Sequence, residues 1–169
     1  MGSGLGGGGI LLGVISDTHG LVRPEALRAL HGSELIVHAG DIGGPEVLQT
    51  LRSVAPVVAV RGNNDRGSWA DHLKGTEIVQ VGQVRLYVLH SIRDLDLDPS
   101  AAGFRAVISG HSHRPSVEER EGVLYLNPGS AGPRRFSLPI ALARLRVRAG
   151  LLDAEICELP VPPRGSMIS

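Results

Sequence analysis

The 169-residue sequence predicts a single mixed α/β domain. Three observations carry that reading. Apolar β-type runs alternate with helical patterns through the first half, paired β-type runs flank two-residue turns in the second half, and no repeat or linker divides the chain. Strand, helix, strand, helix, strand is the signature of a parallel sheet with right-handed crossovers.

The elements are placed in order. Ile10 to Ser16 reads as a buried strand, and Pro24 to His31 as a helix with proline in its first turn. Leu35 to Ala39 is the second strand, Pro45 to Ser53 the second helix, and Val57 to Val60 the third strand. Glu77 to Val81 and Val84 to His90 flank Gly82-Gln83, a loop suited to a type II′ hairpin. Asp98-Pro99 reads as the capped start of a short helix. Ala106 to Ser109 is a further strand. Hairpins are expected around Glu121-Gly122 and, between Ile140 to Arg148 and Leu151 to Leu159, around Ala149-Gly150. The expected domain is 10–159, with a flexible glycine-rich tail over 1–9 and a proline-rich tail over 160–169.

Composition narrows the function classes. Aromatic residues are 3% of the chain against 42% hydrophobic overall, so the core must be aliphatic. Seventeen acidic residues balance seventeen basic ones, sixteen of them Arg, and no bulk field draws the chain to nucleic acid or anionic membrane. The aromatics Trp69, Tyr87, Phe104, Tyr125 and Phe136 offer little for stacking along a strand of bases, which argues against a nuclease. No apolar run approaches the roughly 20 residues of a membrane span. The single cysteine, Cys157, cannot form an internal disulfide and reads as a buried strand thiol, which fits a cytoplasmic protein.

The informative pattern follows the strands. Val14-Ile15-Ser16 runs into Asp17-Thr18-His19, and His38-Ala39-Gly40 into Asp41. Val60-Arg61-Gly62 runs into Asn63-Asn64-Asp65, Val88-Leu89 ends at His90, and Ser109-Gly110 leads to His111-Ser112-His113. In open α/β sheets the carboxyl ends of strands line the ligand crevice, so five segments deliver Asp, Asn and His to one place. Carboxylate, amide oxygen and imidazole together suit borderline divalent ions. Glycine before Asp41, Asn63 and His111 permits the backbone turn that aims each ligand inward. Singly these pieces are weak: Asp-x-His arises often by chance, Gly-Asp is a common turn, and a lone strand histidine is usually a satisfied core residue. The ordered set is specific.

That set, with Asn127-Pro128-Gly129-Ser130 after it, resembles the calcineurin-like metallophosphoesterases, and within them the small YfcE-type phosphodiesterases of bacteria and archaea. The resemblance covers about Ile10 to Leu159. It implies a four-layer sandwich of two mixed β-sheets flanked by helices. It also implies two divalent ions per chain, manganese first, with nickel, cobalt, iron, zinc or magnesium as alternatives. Carried over by position, Asp17, His19 and His113 would hold one ion, Asn63, His90 and His111 the other, and Asp41 would bridge them with a hydroxide that attacks phosphorus in line. The implied activity is hydrolysis of a phosphodiester, with a phosphomonoester as the near alternative. A retromer subunit of the same fold is a scaffold with an incomplete ligand set, whereas all seven positions here hold competent residues. Homo-oligomers are implied as a possibility by resemblance alone.

Two departures from the family pattern matter. Relatives often carry histidine where this chain has Asn64, which can donate a hydrogen bond to phosphate but cannot act as a general acid near neutral pH. Relatives also often show His-Gly-His where this chain has His90-Ser91-Ile92. Asn64, Arg66 and Arg114 are the expected substrate contacts, with Arg61, Arg134 and Arg135 also near the site loops. The loops Arg66 to Gly75 and Ser91 to Ser100 are expected to set specificity. His38 is expected to be a hydrogen-bonded core residue, His31 and His72 surface residues, and Asp65 either a partner of Asn64 or a nearby Arg, or a tie for its loop. Asp94, Asp96 and Asp98 lack the glycine and glutamate of a calcium loop and read as a polar face with a cap.

Overall fold

The computed structural model describes residues 9–162. Two five-stranded mixed sheets form its centre. The first contains β1 (Ile10–Ile15), β2 (Leu35–His38), β3 (Val57–Ala59), β9 (Ala141–Arg148) and β10 (Leu151–Glu158), ordered β10-β9-β1-β2-β3. The second contains β4 (Thr76–Val81), β5 (Val84–Leu89), β6 (Ala106–Ile108), β7 (Ser116–Arg120) and β8 (Val123–Asn127), ordered β4-β5-β6-β8-β7. Strands β1, β2 and β3 are parallel, as are β5, β6 and β8; β9 pairs antiparallel with β1, and β4-β5, β7-β8 and β9-β10 are antiparallel hairpins.

The period of two along each strand sorts side chains between layers. Leu12 and Val14 of β1, Val37 of β2, Leu86 and Val88 of β5, and Ala143 and Leu145 of β9 fill the space between the sheets. Ile15, Ile36 and Leu142 face the other way, onto α1 (Pro24–Leu30) and α2 (Pro45–Arg52), where Leu30, Val47 and Leu51 meet them. Gly13 allows that approach, because a Cβ there would come within 2.8 Å of Ser33 Oγ and closer still to Leu30. Tyr87, Leu89 and Val107 form the outer face of the second sheet, covered by Phe104, Leu95 and Leu97.

That outer layer differs from the expectation in one respect. The helix predicted at Asp98-Pro99 stops after one turn: Asp98 caps the backbone N–H groups of Ser100 and Ala101, Ala102 N–H reaches the Asp98 carbonyl, and Gly103 leaves the helical region with φ +85°. The fold is the expected sandwich of two mixed sheets, with α1 and α2 against the first sheet and short turns, including a 3-10 turn at Ile92–Asp94, following the second sheet's β5. Cys157 is half-buried against the helix side rather than buried. His31 and His72 are exposed as expected. The expected tails lie largely outside the described residues; Gly9 and Pro160 to Pro162 are described and belong to no regular element. No helix among the described residues is long and apolar enough to cross a membrane.

Candidate metal centre

Every carboxyl end of β1, β2, β3, β5 and β6 opens on the same edge of the sandwich, so the site joins the tops of both sheets. Backbone bonds fix the exits to one another. Asp17 N–H donates to the Gly40 carbonyl at 3.0 Å, His19 N–H to that of Asp41 at 3.0 Å, and Gly110 N–H to that of His90 at 2.9 Å. Other bonds cross between the sheets, among them His111 N–H to Asp17 Oδ2 at 3.0 Å. Asp17, His19, Asp41, His111 and His113 all adopt left-handed backbone, with φ between +46° and +72°. Such a conformation costs about 1–2 kcal/mol for a non-glycine residue, and its recurrence at five polar residues of one crevice marks a site held against local preference. The glycines between these residues leave no room for a side chain: a Cβ at Gly40 would lie 2.6 Å from His90 Nδ1, and one at Gly110 2.6 Å from Asp17 Oδ2.

Two groups of ligand atoms converge. Asp17, His19 and His113 form the first, and Asp17, Asp41 and His90 the second, the atoms in each lying within 4.8 Å of one another. His113 Nε2 stands 3.4 Å from Asp17 Oδ1, His19 Nε2 3.8 Å from both Asp17 Oδ1 and Asp41 Oδ2, and His90 Nε2 3.4 Å from Asp41 Oδ2. These separations exceed ordinary hydrogen bonds. They match ligands sharing a cation, since bonds of about 2.0–2.2 Å put neighbouring donors roughly 3–4 Å apart. Asp41 Oδ2 lies between His19 and His90; Asp17, common to both groups, also faces several imidazoles, which the sequence did not announce. His111 packs edge-on against His90, with Nδ1 3.3 Å from its Nε2, and Asn63 lines the adjoining cleft with both.

Buried polar atoms elsewhere in proteins are nearly all hydrogen-bonded. Here Asp17 Oδ1, His19 Nε2 and His113 Nδ1 are buried without a hydrogen-bond partner, and the first two point into the cluster. The donor set and these orphaned atoms fit divalent ions. Electrostatics agree: burial alone would raise the Asp17 carboxyl, but the His113 imidazole beside it, the Ser16 hydroxyl and the nearby His90 hold it below the usual value. Asp41 is likewise pushed well down, by His90 and the Asn64 backbone against its own burial. Burial lowers His19 despite Asp41 and Asp17, whereas Asp41 and the Ala39 carbonyl overcome burial and raise His90.

The surrounding residues orient the ligands. His90 Nδ1 donates to the Ala39 carbonyl at 2.7 Å, which fixes its tautomer and leaves the Nε2 lone pair facing the carboxylates. His38 is the core residue expected. Its Nδ1 accepts from Gly40 N–H at 3.1 Å, so Nε2 carries the proton and donates to Thr18 Oγ1 at 2.9 Å, and Thr18 passes its own on to the Ile42 carbonyl at 2.8 Å. Full burial pushes His38 down to about 4. Asp65 ties loops: its carboxylate accepts the backbone N–H groups of Ile42, Gly43 and Gly62, and its backbone carbonyl accepts from Arg61 Nε at 2.9 Å. Asn127 Nδ2 donates to the Gly110 carbonyl at 3.0 Å and to Ser112 Oγ at 3.1 Å, holding the loop that bears His111 and His113.

The expected substrate contacts are placed differently. Asn64 does not project into the cleft; its backbone N–H and side-chain amide both clamp Asp41, at 2.9 and 3.0 Å. Arg66 and Arg114 are exposed and do not line the cleft of about 580 Å³ beside His90 and His111. Its walls carry Arg61, Ser91, Arg93 and Asp94 instead. Arg93 sits in the loop after His90 expected to set specificity, but nothing in the sequence distinguished it from a surface arginine.

Comparisons with known proteins agree with this geometry. The calcineurin-like phosphoesterase superfamily domain matches residues 10–150. A probable metallophosphoesterase of Methanothermobacter thermautotrophicus is 36% identical over 168 residues, covering 90% of this chain and 95% of that protein. YfcE, a phosphoesterase from E. coli, superposes with a TM-score of 0.64 at 26% identity over 80% of this chain and 88% of its own. Vps29 of Chaetomium thermophilum shares the fold, with a TM-score of 0.72 at 18% identity over 89% of this chain and 97% of its own. With a ligand cluster suited to divalent ions at the crevice of this fold, the chain belongs to the calcineurin-like phosphoesterase superfamily.

Proposed function

We propose that the protein hydrolyses a phosphodiester using two divalent ions, manganese being the favoured pair. Asp17, His19 and His113 hold the first, Asn63, His90 and His111 the second, and Asp41 lies between them. The observation that carries this reading is the convergence of two ligand groups, Asp17-His19-His113 and Asp17-Asp41-His90, that share Asp17. When bound, such ions polarise a phosphoryl oxygen and make water a nucleophile at neutral pH.

The chain's own residues supply the rest. Asn64 and the Ala39 carbonyl fix Asp41 and His90, so the ligands need little reorganisation when a cation arrives. Arg61 and Arg93 on the cleft wall face an anionic phosphate, and the open cleft leaves room for a second ester arm, which supports a diester over a monoester. With Asn64 committed to Asp41, no side chain at that position protonates the leaving oxygen. Departure then depends on the leaving group's own acidity, so aryl esters should react well before alkyl esters. The lone cysteine supports placement in the cytosol, and the neutral charge supports a small substrate over nucleic acid.

The test is a screen of metal-reconstituted protein on bis-p-nitrophenyl phosphate, p-nitrophenyl phosphate and simple alkyl diesters. Metal-dependent turnover favouring the aryl diester is expected. No turnover with manganese, nickel, cobalt, iron or zinc would leave the fold serving as a binding module, and full turnover in Asp41→Ala would overturn the metal assignment.

A further inference from the structure

Residues 131–139 form a closed loop beside the β1 exit. Ser130 and Ile140 are bridged and Ala141 N–H donates to the Ser130 carbonyl at 2.9 Å, so the loop's ends meet, as in the compact Ω-type loops frequent at functional sites. Its base is tied to the segment that delivers Asp17. Ala131 N–H donates to the Ser16 carbonyl at 3.1 Å, and Ser130 Oγ to that of Asp17 at 3.0 Å. A Cβ at Gly132 would lie 2.6 Å from the Thr18 carbonyl oxygen, and Arg23 holds the Gly132 carbonyl at 3.2 Å.

The tip of the loop is at odds with its sequence. Leu138 N–H donates to the Arg135 carbonyl at 3.1 Å, closing a turn in which Phe136 holds φ +53° and Ser137 does not have positive φ. That pattern is a type II′ turn, whose second position calls for glycine. Phe136 occupies it with 91% of its surface exposed. The ring neither suits its backbone nor packs in the fold, which is the combination expected where a residue is kept for binding. Pro133, Arg135 and Ser137 around it are exposed as well, so one ring stands among polar neighbours rather than in an apolar patch of interface size.

We infer that Phe136, on the loop tied to the strand exit that bears Asp17, is a stacking platform taking a planar aromatic arm of the phosphodiester. The arm is an aryl group or a nucleobase, since either presents a π-face to the ring. This rests on the phosphodiesterase reading above and names the substrate class. Removing one such stacking partner lowers affinity roughly 5–150-fold.

The experiment uses p-nitrophenyl phosphodiesters that share a leaving group and differ in the second arm: methyl, phenyl or thymidine-5′. The manganese-loaded wild type should prefer phenyl and thymidine over methyl, mainly through KM. Phe136→Ala should reduce that preference about fivefold or more, and Phe136→Trp should retain it. The thymidine-to-phenyl ratio tells nucleobase from aryl. Turnover of the methyl ester reports the phosphodiesterase reading by itself. If that ester is hydrolysed and Phe136→Ala leaves the ratio where it was, only the platform is overturned. If none is hydrolysed, calorimetric binding of phenyl phosphate against methyl phosphate decides: equal affinities, or a preference that survives Phe136→Ala, overturn it. An unmoved ratio together with loss of concentration-dependent self-association in Phe136→Ala would assign the ring to a contact between copies and also overturn it.

Discussion

At one end of the sandwich Asp17, His19, Asp41, His111 and His113 hold positive φ; at the other, Glu121 and Ala149 do. The second pair sits in the β7–β8 and β9–β10 hairpins, each followed by a glycine with φ near +80°, the type I′ geometry that short hairpins favour. There the conformation serves chain reversal, and asparagine or glycine would serve it better. At the crevice the same conformation turns side chains inward at strand exits, and no better-suited residue would keep the chemistry. The difference is legible in what surrounds them. The crevice residues are tied by cross-sheet hydrogen bonds and lie against glycines with no room for a Cβ, whereas Gly122 and Gly150 of the hairpins open onto empty space.

The comparison breaks most visibly at Asp41, whose Oδ2 lies between the two histidine groups. Asp41→Ala should lower kcat/KM by on the order of 10³-fold, the scale of losing a preorganised electrostatic element. Elemental analysis after reconstitution should show reduced metal content. Retained activity with two ions bound would remove Asp41 from the centre.

His38 sharpens it in a second way, because it is buried beneath the crevice with a single tautomer. Its folded pKa of about 4 lies below the unfolded value of 6.5, so as pH falls the unfolded chain takes up the proton first. The stability involved is complete above pH 6.5 and is lost progressively towards pH 4, up to about 3 kcal/mol. His19, also lowered, acts in the same direction; His90, raised, favours the folded state at low pH and loses that effect as pH rises above 6.5. Urea melts of EDTA-treated protein between pH 7 and 4.5 should show the fall, and His38→Gln should flatten most of it. An unchanged slope in His38→Gln would place the titration elsewhere.

Asn64 comes next in size. Its two hydrogen bonds to Asp41 give it a part in holding that carboxylate. Asn64→Ala removes one of them and should weaken metal binding by about 10–100-fold. Calorimetric titration with manganese reads this directly. A KM effect with unchanged metal affinity would return Asn64 to the substrate.

Much of this was readable from sequence, and for a physical reason. Strand exits carry both a period-two apolar signal and the change to polar residues, so Asp17, Asp41, His90 and His111 stood out, and glycine before three ligand segments marked the tight turns. The buried role of His38 followed from its apolar neighbours. Side-chain direction within loops had no such signal. Nothing in Gly62-Asn63-Asn64-Asp65 says that Asn64 folds back onto Asp41 while Asp65 gathers three backbone N–H groups. Nor does a lone Arg93 differ in sequence from Arg66, although only the former lines the cleft. The helix expected at Asp98 had a good cap but lay five residues before Gly103, too close for a second turn.

The smallest predicted effect separates the two ends most cleanly. Ala149→Gly relieves left-handed strain at an exposed turn and should raise stability by about 1 kcal/mol, less the entropy glycine adds to the unfolded chain. For a chain of this size that is a rise of roughly 2–4 °C in Tm, within reach of calorimetry. Asp17→Gly relieves the same kind of strain, at φ +54°, but removes the carboxylate that accepts from Ser16 Oγ and His111 N–H. Losing those two buried bonds, each worth about 1–3 kcal/mol when a donor is left stranded, outweighs the relief. The metal-free Asp17→Gly protein should therefore melt below the wild type while Ala149→Gly melts above it. If both substitutions stabilise, the crevice backbone is held by the turns alone, and the cross-sheet bond from His111 to Asp17 contributes nothing to joining the two sheets.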